Sequence, residues 1–203
     1  MGVKMMKNEE YQTKRRAHEL WDLNLIDEFE VGSFRGLADI HAYLFQDFPE
    51  VHPGEVRQVN LSKGNFRFAS VLYLESAIQA VEAMPENNFD AIIDKYTEMN
   101  VVHPFREGNG RSTRIWLDQI LKENLSICID WSLIDKRDYL SAMALSPTNN
   151  NLLKMLLKNA LTDEVDNRLV YMKGIDQSYA YEDMADYPYY EIEGSNGGES
   201  DGE

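Results

Sequence analysis

The chain lacks the marks of several large protein classes. It has one cysteine, Cys128, in 203 residues, which excludes a disulfide framework and a cysteine-rich metal site. A lone cysteine of this kind is expected to serve as a small buried apolar side chain. No apolar run reaches the roughly 18–20 residues needed to cross a bilayer as a helix. The first stretch, Met1–Arg16, is polar and has no signal-peptide h-region, so a cytoplasmic location is expected. Basic residues are scarce, 20 Lys and Arg against 35 Asp and Glu, for a formal net charge of −15. That balance argues against broad electrostatic binding to DNA or RNA. It leaves room for a nucleotide, because a local basic pocket can hold phosphates inside an acidic protein.

What is present is a succession of apolar stripes at helical spacing. They predict helices over Glu9–Leu23, from Phe34 to Phe45, from Val71 to Val81, and from Phe89 to Met99 with His103 four residues further on. A fifth helix opens at about Arg111 and carries Ile115, Trp116, Ile120 and Leu121. Two more are predicted over Lys136–Leu145 and Asn151–Leu161, separated by Ser146-Pro147. Between Val56 and Phe68, apolar residues flank a Gly64-Asn65 turn, which predicts a β-hairpin. The expected architecture is all-α, a helical bundle with one short hairpin. The segment from Glu191 to Glu203 is rich in Gly, Ser and acid, and disorder is expected there. The boundaries that follow are an N-terminal helix in 1–30, a core domain in 31–173, a short helix in 174–186 and an acidic disordered tail in 187–203.

The chemistry concentrates in His103-Pro104-Phe105-Arg106-Glu107-Gly108-Asn109-Gly110-Arg111-Ser112-Thr113-Arg114. Pro104 disfavours helical backbone at His103 and so places it at a helix end. Gly108 and Gly110 open backbone conformations closed to other residues and let a ligand approach the main chain. The next helix would present free N–H groups and a positive dipole end to that loop, which makes an anion site. Arg111 and Arg114 are three apart and share a helix face, and the arginine fork suits phosphate oxygens. His103, with an ordinary pKa of about 6.5, suits a general base. Glu107 is a hard ligand suited to a Mg²⁺ that bridges phosphates. Asn109 is placed to hydrogen-bond a phosphate oxygen. The alternative of a metal hydrolase using His103 and Glu107 is disfavoured, because Pro104 and Gly108 disrupt the helix that would align them.

This stretch resembles the Fic family, whose pattern is His-x-Phe-x-(Asp/Glu)-Gly-Asn-Gly-Arg-x-x-Arg. His103, Phe105, Glu107, Gly108, Asn109, Gly110, Arg111 and Arg114 fill every fixed position. Gly32-Ser33-Phe34-Arg35-Gly36-Leu37 with Ile40-His41 looks like the start of the family's early helix. Gly54-Glu55-Val56-Arg57 and then Lys63-Gly64-Asn65-Phe66 look like its hairpin flap. The resemblance implies a protein adenylyltransferase that moves AMP from ATP to a Tyr, Thr or Ser hydroxyl. His103 would take the hydroxyl proton, and Phe105 would anchor the loop. Glu107 would hold Mg²⁺ on the α- and β-phosphates. Gly108, Asn109 and Gly110 would form the anion hole, with Arg111 at the β-phosphate region and Arg114 at the γ-phosphate. The flap residues Ser62, Lys63, Gly64, Asn65 and Phe66 would pair with an extended target segment.

Some members of this family end in an inhibitory helix of pattern (Ser/Thr)-x-x-x-Glu-(Gly/Asn). Ser178 and Glu182 fit it, four apart on one face of a short helix expected after Lys173-Gly174 with Asp176 as N-cap. Asp183 departs from the pattern's last position. By this resemblance Glu182 would pair with Arg114 and keep it from the γ-phosphate. Tyr179, Tyr181, Tyr187, Tyr189 and Tyr190 crowd the same region and raise self-modification as an option, with packing the expected role for Tyr179 and Tyr181. The competing functions are metal-dependent removal of AMP at the same site, transfer of another phosphorus group from a nucleotide, and a catalytically silent binding module. The partner implied is a target protein, for which a type II topoisomerase subunit is the candidate that some relatives suggest. Related single-domain proteins also form homo-oligomers. No membrane partner and no direct nucleic-acid binding are expected.

Overall fold

The computed structural model describes residues 3–194. The helices in chain order are α1 (Val3–Asp22), α2 (Phe34–Phe45), α3 (Leu74–Glu82), α4 (Phe89–Val102), α5 (Asn109–Leu125), α6 (Lys136–Leu145), α7 (Asn151–Lys158), α8 (Arg168–Ala180) and α9 (Tyr189–Gly194). Two antiparallel pairs accompany them, β1 (Ser62–Lys63) with β2 (Phe66–Arg67), and β3 (Cys128–Ile129) with β4 (Leu161–Thr162). The all-α architecture with one short hairpin, β1–β2, is as the sequence predicts; the β3–β4 pair, which brackets α6 and α7 in the chain, was not predicted.

Helix starts follow local capping chemistry. Ser33 Oγ accepts from the Gly36 N–H, Asn88 Oδ1 from Ala91, Asp135 Oδ1 from Arg137, and Asn167 Oδ1 from Leu169. Each satisfies a first-turn donor that the helix itself leaves unpaired. α5 runs through the centre and buries Ile115, Trp116, Leu117, Ile120 and Leu121. It packs against α2, α4 and α8. α1 lies across α2 and α8 and also touches α9, so the two ends of the described chain meet.

Several expectations need correction. α8 begins at Arg168, capped by Asn167, so a boundary at 173/174 falls inside a helix and Asp176 is an interior residue. Gly174 continues that helix, because there the backbone lies close to Trp131: an added Cβ would sit 3.3 Å from its ring. α7 ends at Lys158. Leu161 lies instead on β4, opposite Ile129. Cys128 is only half-buried, on β3, and burial pushes its thiol up to about 12. The stretch from 187 is ordered as far as it is described. α9 covers Tyr189–Gly194, the Tyr189 N–H donates to Asp176 Oδ2 at 3.0 Å, and Ile192 is buried. The remaining acidic tail lies outside the described residues.

The hairpin forms with Ser62 opposite Arg67 and Lys63 opposite Phe66, around the Gly64-Asn65 turn. Gly64 has a positive φ of 58°, which suits a glycine in a two-residue hairpin loop. Among the described residues, no helix is long and apolar enough to cross a membrane.

Candidate active site

α4 stops at Val102, and His103 turns the chain with a left-handed backbone, φ 51° and ψ 63°, while its N–H still bonds the Met99 carbonyl at 3.0 Å. Pro104 disfavours right-handed helix at this position. The imidazole stacks on Phe68 at 3.7 Å between centroids, 14° from coplanar. Burial pushes its pKa down to about 4, with Arg57 and Lys63 adding to the fall and Glu182 opposing it. His103 is therefore neutral near pH 7, the form that accepts a proton.

Arg57 ties the hairpin to this turn. It is buried, and its guanidinium donates to the carbonyls of His103 at 2.7 Å, Val59 at 2.6 Å, Ala69 at 2.5 Å and Val102 at 3.2 Å. The main chain adds Arg57 N–H to Pro104 O and Ala69 N–H to Val101 O. The base of the hairpin is thus fixed to the His103 turn, while Ser62–Asn65 at its tip are exposed.

The loop after His103 is closed from within. Phe105 is fully buried and stacks against His41 at 3.9 Å. Asn109 Oδ1 accepts from the Phe105 N–H, and its Nδ2 donates to the Phe105 carbonyl, both at 2.8 Å. Gly108 has φ +69°, and a Cβ there would lie 2.2 Å from the Phe45 ring. Only glycine fits that backbone and that space. α5 then opens at Asn109, so its first-turn N–H groups, which have no i−4 carbonyl, face the loop. The Glu107 side chain is exposed. Burial of part of its carboxyl raises its pKa, with Arg111 opposing.

Both arginines of α5 are buried and held charged. Arg111 lies over the Phe45 ring at 4.8 Å and the Tyr179 ring at 5.4 Å, and Arg114 over Tyr139 at 5.7 Å and Tyr181 at 5.3 Å. Arg114 Nε donates to Ser178 Oγ at 2.7 Å and its Nη2 to the Ser178 carbonyl at 2.8 Å. Its Nη1 reaches Tyr139 Oη at 3.4 Å, and Tyr139 shares a 2.6 Å hydrogen bond with Tyr96. Glu182 bridges the pair: Oε1 lies 3.0 Å from Arg114 Nη2 and Oε2 lies 2.9 Å from Arg111 Nε. Burial would raise the Glu182 pKa, but Arg111 and Arg114 outweigh it and hold the group below its ordinary value. On its other side Arg111 Nη1 meets Glu9 Oε1 of α1 at 3.0 Å.

Residues 33–121 match the Fic/DOC family model. They are a Fic domain. The chain is 30% identical over 167 residues to the protein adenylyltransferase VbhT of Bartonella schoenbuchensis, covering 76% of this chain and 34% of that protein. It is 28% identical over 138 residues to the probable protein adenylyltransferase Fic of Salmonella typhimurium, covering 59% of this chain and 68% of that one. The chain thus spans about a third of the first relative and about two thirds of the second. Among solved structures it resembles the BepC protein of Bartonella tribocorum with bound AMPPNP, at TM-score 0.62 and 18% identity over 78% of this chain and 87% of that one. That likeness supports the fold.

The Fic domain gathers His103, Glu107, Gly108, Gly110, Arg111 and Arg114 around one loop and helix start; α8 brings Ser178 onto Arg114, while Glu182, expected on the same helix, reaches the arginines from the turn that follows α8. Asn109 has a role beyond the expected one. Both polar atoms of its side chain bond Phe105, so this residue braces the loop, and one Nδ2 N–H remains beyond the bond to the Phe105 carbonyl. Asp183 adopts φ +62°, so the turn ends in the left-handed form even without Gly or Asn. Tyr179 and Tyr181 are buried packing residues, as expected. Sequence reasoning missed Glu9, the bracing role of His41 and Arg57 as the anchor of the hairpin.

Proposed function

We propose that the Fic domain transfers AMP from ATP to a Tyr, Thr or Ser hydroxyl of a target protein, and that Glu182 holds it in an inhibited state. The observation that carries this reading is the Glu182 carboxylate bridging Arg111 and Arg114 at the start of α5. Two buried cations on one helix face, next to free N–H groups and a neutral histidine, form a site for a polyphosphate. The names of the two adenylyltransferase relatives support the choice of reaction.

In this reading, neutral His103 accepts the hydroxyl proton as the oxygen attacks the α-phosphorus. A new P–O bond forms, the α–β anhydride bond breaks, and pyrophosphate leaves. Backbone N–H groups at Asn109 and Gly110 receive the phosphate charge. Arg111 and Arg114 hold the outer phosphates. Glu107 fits a Mg²⁺ that takes most of its ligands from phosphates and water, because it is an accessible carboxylate on the loop. Bound there, the metal would neutralise charge on the α- and β-phosphates. The hairpin edge at Ser62–Phe66 would pair with an extended target segment, with Arg57 keeping it in register with His103. A type II topoisomerase subunit is one candidate target. Since Glu182 occupies both cations, ATP would bind without its outer phosphates seated.

Labelling with α-³²P-ATP and Mg²⁺ tests this, using the unaltered chain, Glu182→Gly, and Glu182→Gly with His103→Ala. The first substitution should raise labelling of a lysate target or of the chain itself, and the second should abolish it. Unchanged labelling in Glu182→Gly would remove the inhibitory role. Signal only with γ-³²P-ATP would replace AMP transfer by phosphoryl transfer. Loss of label from an isolated modified target would add AMP removal.

A further inference from the structure

We propose that α1 supplies a second inhibitory carboxylate, Glu9, which masks Arg111 independently of Glu182. The inference rests on the reading above, in which Arg111 and Arg114 hold nucleotide phosphates. Glu9 Oε1 lies 3.0 Å from Arg111 Nη1, with side-chain exposures of 11% and 3%. The two carboxylates meet different nitrogens at the edge of one guanidinium, Glu9 in a hydrogen bond at Nη1 and Glu182 in an ionic contact at Nε. A phosphate seeking a bidentate grip on Arg111 would meet one acidic residue whichever way it approached. Desolvated charge pairs of this kind are strong competitors, because breaking one strands a buried charge.

The two carboxylates sit on different elements, so they need not leave together. Glu182 follows α8, and a shift of the 178–183 turn would withdraw it. Glu9 stays behind on α1. Release of the C-terminal segment alone would therefore leave Arg111 half masked and Arg114 freed of its carboxylate.

α1 also holds the C-terminal segment in place. Lys14, buried at 1% exposure, lies 3.2 Å from Glu10 Oε1 and 3.2 Å from Asp176 Oδ1. Its Nζ donates to the Tyr187 carbonyl at 2.8 Å, and Glu10 Oε1 accepts the Tyr187 N–H at 3.0 Å. Both main-chain polar groups of Tyr187 are thus gripped by α1, five residues beyond Glu182, and the Tyr11 ring packs edge-on against Tyr187 at 5.3 Å. One helix carries both the second carboxylate and the clasp that keeps the first one seated.

The test is equilibrium binding of the Mg²⁺ complex of α,β-methylene-ATP, which cannot give up AMP. It compares the unaltered chain, Glu9→Gln, Glu182→Gly and the double variant. Gln keeps the size of Glu9 and an acceptor oxygen but removes the charge. Glu9→Gln should tighten binding about fivefold or more, and should do so again in the Glu182→Gly background, as expected for loss of a charge-assisted pair. Glu9→Met, of similar length and uncharged, should act in the same direction, and thermal melts establish that each variant is folded. Unchanged or weaker binding for both Glu9 variants in both backgrounds would overturn the proposal. In that case tight binding and labelling by Glu182→Gly would leave the functional reading standing. If no variant bound the analogue, the phosphate role of the arginines would fall, and the proposal with it.

Discussion

The Nε2–H of His41 donates to the Glu107 carbonyl at 3.0 Å, and this bond fixes the protonation of the ring. Its Nδ1 accepts the Gly54 N–H at 2.9 Å, so Nδ1 carries no proton and Nε2 must. Burial pushes the His41 pKa down to about 4. The unfolded chain would bind this proton near pH 6.5 and the folded chain only near 4. Folding stability therefore rises with pH across that window and is lost as pH falls through it. The loss for His41 should approach about 3 kcal/mol at the acid end. His103 adds to the same slope. Asp118, whose carboxyl burial lifts to about 7, contributes the opposite one. The checkable quantity is thus the difference between the unaltered chain and His41→Asn in urea melts from pH 7 to 4. That difference should shrink as pH falls, and a constant difference would contradict the assignment.

Gly108 and Gly110 should respond differently to alanine. At Gly108 a Cβ would meet the Phe45 ring at 2.2 Å on a backbone of φ +69°, and the expected loss is about 2–4 kcal/mol from overpacking and backbone strain. At Gly110 the Cβ would meet the ends of two side chains, Glu182 Oε1 at 2.8 Å and Arg114 Nη1 at 2.9 Å. These are side-chain ends, and the helix backbone at Gly110 is unstrained, so Gly110→Ala should cost less than Gly108→Ala, the loss arising from the Glu182–Arg114 pair it would displace. Thermal melts of the two variants check the contrast.

The low pKa of His103 shapes the proposed reaction's pH dependence. In the Glu182→Gly background, the acid limb of kcat/KM for AMP transfer should fall well below 6.5, toward about 4, because the imidazole stays neutral until then. A limb at the ordinary histidine value would mean that His103 is solvated in the active state. Removing the imidazole should cost about 100-fold or more.

Asp183 holds φ +62°, a backbone form that costs a non-glycine residue about 1 kcal/mol. Asp183→Gly should remove that strain. It also removes an exposed ion pair with Lys136, whose Nζ keeps its bond to the Ala180 carbonyl at 2.8 Å. Exposed pairs contribute little, so the variant should melt about 1–3 °C higher, with labelling no greater than that of the unaltered chain. Increased labelling would show that the Asp183 pair helps to seat Glu182.

The sequence carried most of the fold and most of the site because their signals are local. Apolar spacing marked α2, α4 and α6 almost to the residue, and Pro104 with the two glycines marked the loop. Contacts between distant segments left no such mark. Glu9 and Arg111 are 102 residues apart, and nothing around Glu9 distinguishes it from a solvated helix charge. Lys14 was equally silent, since burial of a lysine is decided by the partners that assemble around it. β3 and β4 are two residues each, too short for alternation to show. The start of α8 was misplaced because Gly174 reads as a break, whereas its role is to admit the Trp131 ring.

Arg114 is held from two sides, by Glu182 and Ser178 on one and by the Tyr139 hydroxyl on the other, with Tyr139 bonded in turn to the fully buried Tyr96. Withdrawal of the 178–182 turn would leave the second hold in place. The freed guanidinium would already be aimed, so little side-chain entropy would remain to be lost when it met a phosphate. In the proposed reading, the inhibited state would thus store the geometry of the active one.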